Sequence, residues 1–196
     1  MHTSRPFDCR NRILLGALLF AAGCASRRSV QSEPLAEFDA SVEEYVELRQ
    51  QAVIGAGRLT PAESSAVLVS DQTDLAIAIQ RLRTRLPQGV LFTPPVAHYI
   101  QRTLRQRLSN SDGAALLAAI RDVKPAPVFV PRVNERYPDD LPRTAMPPAV
   151  LAVLPQLPPH LVYRFMNRQL LLLDRDTGVI VDVLPDALPE TDAPSG

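Results

Sequence analysis

Apolar residues recur at helical spacing through the first two thirds of this chain and gather into short strand-like runs near its end. From Asp39 the stretch DASVEEYVELRQQAVI sets Val42, Tyr45, Val46, Leu48 and Val53 on one broad stripe. Glu43, Glu44 and Glu47 lie near its start, where carboxylates suit the positive end of a helix dipole, and Gly55 and Gly57 stop it. Over 71–86, Leu75, Ile79, Leu82 and Leu86 recur at steps of four, three and four. This predicts a second helix capped by Ser70 or Asp71 and ended by Pro87-Gln88-Gly89. A third begins at Thr93-Pro94-Pro95, where Thr93 can cap and proline fits the first turn, and carries Val96, Ile100, Leu104 and Leu108 every four residues. The turn Ser109 to Gly113 leads into a short fourth helix, Ala114 to Asp122.

The pattern then changes. Between 125 and 160 stand Pro125, Pro127, Pro131, Pro138, Pro142, Pro147, Pro148, Pro155, Pro158 and Pro159, a density that forbids long helices and central strands. An extended segment draped over the helices is expected, with at most a turn or two of helix at Ala149 to Leu154. Val128, Phe129, Val130, Val150, Leu151 and Leu154 keep it packed. Three apolar runs follow, Val162 to Met166, Gln169 to Asp174 and Val179 to Val183, separated by Asn167-Arg168 and by Arg175-Asp176-Thr177-Gly178. They read as an antiparallel meander. Its middle strand, Leu170 to Leu173, is apolar on both faces, so one face should meet helices and the other the proline segment. The fold class expected is α+β. A small bundle of about four helices (39–122) precedes the Pro-rich segment (125–160) and a three-stranded meander (161–184), all in one domain over 37–189, with residues 190–196 as a disordered tail.

The N-terminus is not core sequence. Arg5, Arg10 and Arg12 precede the uncharged run Ile13 to Ala22, the form of an export signal over residues 1–23. Ten residues make a helix of about 15 Å, half of the roughly 30 Å hydrocarbon layer, so the run does not read as a membrane span. It ends in Ala21-Ala22-Gly23-Cys24, which resembles the bacterial lipobox, although Ala21 stands where leucine is usual. The resemblance implies lipidation of Cys24 and, with Ala25 rather than Asp after it, transfer to the periplasmic face of the outer membrane in a Gram-negative cell. Ordinary cleavage after Ala25 is the alternative and would leave a soluble periplasmic or secreted chain. Residues 24–36, polar and without periodicity, read as a flexible tether.

Composition narrows the chemistry. Cys9 leaves with the signal and Cys24 would carry lipid. No cysteine then remains for a disulfide, a zinc site or a thiol nucleophile. Loss of Arg5, Arg10, Arg12 and Asp8 turns 21 basic and 21 acidic residues into 18 and 20, and this balance gives no reason to expect nucleic acid as a partner. Two isolated histidines, His98 and His160, form no ligand pattern, so neither metal nor cofactor is expected.

Asp176-Thr177-Gly178, with apolar residues on both sides, is the one tripeptide that suggests catalysis. Retroviral-type aspartic proteases place such a loop after an apolar strand and share one water between two carboxylates. Only 18 residues follow Gly178, too few for the rest of that barrel, and Asp and Gly are turn residues. The tripeptide therefore reads as the reversal between the last two strands, and no catalytic residue is assigned. A hydrolase acting on envelope polymer through carboxylates such as Asp139, Asp140 and Asp174 is the alternative activity. Arg81, Arg85, Arg102 and Arg105, on the second and third helices, are the candidates for contact with an anion or lipid headgroup; the plainer reading is a solvated face offset by Glu43, Glu44 and Glu47.

The closing segment LPPHLVYRFMNRQLLLLDRDTGVIVDVLPDALP (157–189), with VNERYP (133–138) and YVELRQQ (45–51), resembles a family of exported bacterial envelope proteins. Tyr163-Arg164 and the Pro-x-Ala-Leu-Pro at 185–189 carry the likeness, while Asn167-Arg168-Gln169 replaces that family's Gly-Arg-Asp. It implies export and this layout, with no activity attached. A shorter likeness, over about 25 residues at the C-terminus, is to periplasmic regulators of nickel and cobalt efflux; this chain lacks their histidines. Together these features suggest a non-catalytic envelope lipoprotein with a structural, accessory or binding role, whose partners are the membrane, through lipid, and possible envelope proteins.

Overall fold

The computed structural model describes residues 32–56, 65–121, 129–141 and 146–189. The signal, Cys24, most of the tether and the tail lie outside the described residues. The class is α+β, with the helices preceding the strands. Helices α1 (Ser32–Gly55), α2 (Ser65–Leu82), α3 (Pro94–Leu108), α4 (Ser111–Arg121) and the single turn α5 (Pro148–Leu151) come first. Strands β1 (Leu161–Met166), β2 (Gln169–Asp174) and β3 (Ile180–Leu184) follow in the order β1-β2-β3, antiparallel throughout.

Helix α1 starts seven residues before Asp39, inside the stretch read as tether. Glu33 occupies its first turn, where a carboxylate meets the helix dipole, and Phe38 anchors that end by stacking on Phe92 with ring centroids 6.1 Å apart. Its buried face is Phe38, Val42, Tyr45, Arg49 and Ala52, a clean four-three-four-three progression in which one member is arginine.

Helix α2 runs six residues earlier than expected and ends at Leu82. Leu75 and Ile79 are buried as their spacing requires, but Leu82 and Leu86 are 48 % and 37 % exposed and Arg83 enters the core in their place. The tightened turns that follow, with Thr84 N–H on Arg81 O (3.4 Å) and Leu86 N–H on Arg83 O (2.9 Å), rotate the chain so that Arg83 faces inward.

In α3 the four positions Val96, Ile100, Leu104 and Leu108 are the buried ones. Thr93 stands at the N-cap without a side-chain cap bond. Asn110 supplies the cap of α4, its Oδ1 accepting from Gly113 N–H at 2.7 Å. Gly113 is required there: a Cβ would lie 2.6 Å from the Cα and carbonyl carbon of Leu108, so the two helices meet closely only through a bare backbone.

The sheet divides the interior into two cores. Leu170 and Leu172 face the helices, together with Leu161, Tyr163, Val181 and Leu184. Leu171 and Leu173 face the other way, against Tyr137 and Leu141 of the proline segment and Ile180 and Val183 of β3. The all-leucine strand thus meets helices on one side and the proline segment on the other. Of that segment, residues 129–141 lie over the sheet rather than over the helices, correcting the expected placement for this part, whereas Met146, Val150 and Leu154 join the helix-side core as expected. The cause is backbone pairing. Asn134 N–H reaches Ile180 O, Ile180 N–H reaches Glu135 O and Tyr137 N–H reaches Gly178 O, each at 2.8 Å, so the chain extends the free edge of β3.

A bulge between Leu172 and Leu173 makes Val181 an extra residue in β3, since Leu172 pairs with Asp182 and Leu173 with Ile180. Consecutive side chains of a regular strand alternate faces; here Val181 joins the helix-side core, and the Asp182 carboxylate binds the loop that leads into α3.

Candidate functional site

Among the described residues, Arg49, Arg83, Asp174, Thr177 and Asp182 are buried at the seam between helices and sheet, with the phenol of Tyr45 beside them. Charges leave water only when paired or hydrogen-bonded, so each partner set matters.

Asp174 ends β2 and is fully buried. Its Oδ2 accepts from Tyr45 Oη at 2.9 Å and Arg49 Nε at 2.7 Å, both from α1. Its Oδ1 accepts from Asp176 N–H (3.2 Å), Thr177 N–H (3.0 Å) and Thr177 Oγ1 (2.8 Å). The carboxylate therefore closes the very turn that the Asp-Thr-Gly forms. Gly178 takes φ +70°, the left-handed region that glycine enters without steric penalty, and its N–H returns to Asp174 O at 2.9 Å. The tripeptide is a strand reversal, and the buried acid beside it is Asp174 rather than Asp176.

Asp176 is partly exposed. It accepts from the other arm of the Arg49 guanidinium and stands 3.5 Å from His160 Nδ1. Burial raises the Tyr45 phenol well above its ordinary value, and the neighbouring Asp174 charge adds to the rise. Thr177 Oγ1 donates to Asp174 and accepts from Val179 N–H at 3.3 Å, so it is a strut of the turn rather than a nucleophile.

The second centre is Asp182. Oδ1 accepts from Gly89 and Val183 N–H, and Oδ2 from Leu91 and Phe92 N–H, all at 2.8 Å. Three backbone donors fold the 89–92 loop around one carboxylate, and Val183 of β3 supplies the fourth. Arg83 lies close by, its Nη2 donating to Val181 O at 2.6 Å and its guanidinium 5.3 Å from the Tyr45 ring centroid. Burial pulls the Arg83 pKa below its ordinary value, while the neighbouring Tyr45 phenol and the Asp182 carboxylate act in the opposite sense. Arg83 Nε has no hydrogen-bond partner.

Of the carboxylates named for hydrolysis, Asp139 and Asp140 are exposed on the turn after Pro138, with Asp139 3.7 Å from Arg136, and Asp174 is sealed under five donors. Catalysis by a carboxylate pair needs both acids at one accessible site; Asp174 is inaccessible to a substrate. Arg81 and Arg85 lie exposed at the end of α2 and in the turn beyond it; Arg102 and Arg105 lie on α3, half-buried and exposed. Among the described residues no group of three or more His, Cys, Asp or Glu side chains is placed to hold a metal, and no helix is long and apolar enough to cross a membrane.

A shallow groove of about 350 Å³ lies at the opposite end of the sheet from the Asp-Thr-Gly turn. Phe129, Val130, Pro131 and Pro185 give it apolar walls, and Asn167, Arg168, Gln169 and Asp186 polar ones. Arg168 pairs with Asp186 at 3.2 Å and exchanges backbone and side-chain bonds with Leu188. The Asn167-Arg168-Gln169 and Pro185-Asp186 stretches of the sequence thus meet here. Neither groove nor buried network is announced by spacing alone; the one advance signal is charge standing inside apolar runs, as in VIVDVL and at Arg49.

Comparison with family models, with characterised proteins and with solved structures finds no match to this chain.

Proposed function

We propose that the protein is a non-catalytic lipoprotein of the cell envelope, held by lipid on Cys24 at the periplasmic face of the outer membrane, with a structural, accessory or binding role. The observation that carries the non-catalytic part is the state of Asp174: buried, five times hydrogen-bonded and built into a turn, it is a structural acid. The anchor rests on the leader, whose apolar run ends in Gly23-Cys24. The likeness of the closing segment to exported envelope proteins supports the same address. Binding fits the groove at Phe129, Pro131 and Arg168 better than the network, because the groove is open and the network is closed.

The anchor is tested by Cys24→Ser in the native host. The variant is expected to leave the membrane fraction and to lose the mass of the acyl chains. Unchanged fractionation together with unchanged processing refutes it.

A further inference from the structure

The charges of the helical layer are sorted by helix. On α1 the buried residues Phe38, Val42, Tyr45, Arg49 and Ala52 mark one side. At about 100° per residue Glu33, Glu43, Glu44 and Glu47 fall opposite it, with Glu37 and Asp39 on the two flanks, and each is exposed. The basic residue of α1, Arg49, is turned inward onto Asp174 and Asp176. Helix α3 is the reverse. Opposite its buried Val96, Ile100, Leu104 and Leu108 runs a ridge of His98, Arg102 and Arg105 at steps of four and three, and α3 contains no acidic residue.

Helix α1 packs directly on α3 and both bury their apolar faces in one core; faces opposite a shared core point to solvent together, which sets the two ridges side by side. They do not neutralise each other. Among the described residues none of the six carboxylates of α1 is in an ion pair, and neither Arg102 nor Arg105 is. Within α1, Glu33 and Glu37, Asp39 and Glu43, Glu43 and Glu47, and Glu44 and Glu47 are like charges one turn apart, an arrangement unfavourable to an isolated helix face. Ile54, 75 % exposed, lies seven residues beyond Glu47 and adds an apolar contact at the end of the same ridge.

We propose that a second copy of this chain covers this face, with α1 of each copy lying on α3 of the other about a two-fold axis. Because the two ridges lie side by side, one two-fold operation sets acid against base twice. Exposed ion pairs are individually weak, so the association is modest in solution and screened by salt. It stands apart from the lipid-anchor reading and does not depend on it.

The test uses the full chain in a detergent with a neutral headgroup, followed by sedimentation velocity over a concentration series. Dimer is expected at low ionic strength, with the dissociation constant rising about tenfold or more between roughly 0.05 and 0.5 M salt. Reversal of either ridge, Glu43→Arg with Glu47→Arg or Arg102→Glu with Arg105→Glu, is expected to leave a folded monomer by circular dichroism. Mixing the two reversed proteins is expected to restore a dimer, since each then presents what the other lacks. A wild-type chain that stays monomeric at low salt, a dimer indifferent to reversal of either ridge, or a mixture that stays monomeric overturns the proposal. Binding of the wild type to phosphatidylglycerol vesicles without self-association also overturns it and assigns the α3 ridge to a lipid headgroup.

Discussion

Replacing Asp174 by Asn tests whether this acid is a structural keystone. The change keeps shape and removes charge, and each lone pair of the carboxylate has an identified user. Two backbone N–H groups, of Asp176 and Thr177, face Oδ1 and cannot reverse; the Thr177 and Tyr45 hydroxyls can; Arg49 Nε, facing Oδ2, cannot. The best Asn orientation keeps its oxygen on the turn and sets its NH₂ against Arg49, donor against donor. A hydrogen bond to a charged group contributes about 1.5–3 kcal/mol, and leaving one member of a buried pair alone costs about 3–5 kcal/mol. Arg49 retains Asp176, which is partly exposed, so the lower part of that range applies and the expected loss is about 3 kcal/mol.

The chain contains no tryptophan, so far-UV circular dichroism in urea is the suitable assay. With a slope of about 2 kcal/mol per molar urea, the midpoint should fall by about 1.5 M. Asp176→Asn, which touches only the exposed end of the network, should lose no more than about 1 kcal/mol. If Asp174→Asn shifts the midpoint no further than Asp176→Asn does, the acid is not holding the turn to α1 and the reasoning fails.

Two further outcomes follow from single contacts. Gly113→Ala forces a methyl against the Leu108 backbone and should cost about 1–3 kcal/mol, read as a lower melting temperature; an unchanged melt would mean that α3 and α4 do not meet there. Burial raises the phenol pKa of Tyr45, with Asp174 adding to it, and of Tyr163, with Asp39 adding to it. The unfolded phenols ionise near pH 10, so this stability is whole below that pH and is lost as pH rises above it. Tyrosinate absorbance should therefore report these two phenols only as the helical signal collapses; ionisation of all four with the fold intact refutes it.

The elements were legible where one kind of periodicity ruled. In α3 the step-of-four apolar positions are the buried ones, and the meander is bounded by the turn residues Asn167 and Gly178, both at positive φ. Errors arose where a charged residue took a core position. Leu82 and Leu86 continue the apolar spacing of α2, but Arg83 has a carbonyl, a ring and a carboxylate charge waiting inside, and the chain turns to deliver it. Arg49 sits in step with Phe38, Val42, Tyr45 and Ala52, and its charge disguised the stripe. The bulge at Val181 had no local signature, because it depends on which strand neighbours which, a long-range property. The groove is likewise made by stretches far apart in sequence, Phe129–Pro131, Asn167–Gln169 and Pro185–Asp186.

The buried charges also bear on why a strand as uniform as Leu170 to Leu173 settles in one register. Four leucines present nearly the same surface after a shift of two residues, so apolar packing alone discriminates poorly between positions of the helices along the sheet. Arg49 on Asp174, and Arg83 on Val181 O, are satisfied in one position only. If they serve registry rather than net stability, removing both charges while keeping the acceptor of the turn, Arg49→Met with Asp174→Asn, should cost less than Asp174→Asn alone, because no guanidinium is left facing a donor and the Asp176 and Thr177 N–H groups keep their oxygen. The cost should appear instead as lost uniqueness: broadened methyl resonances and dye binding at unchanged helical content. A double variant with sharp native-like spectra would show that shape complementarity suffices to fix the register, and the charges would then need another explanation.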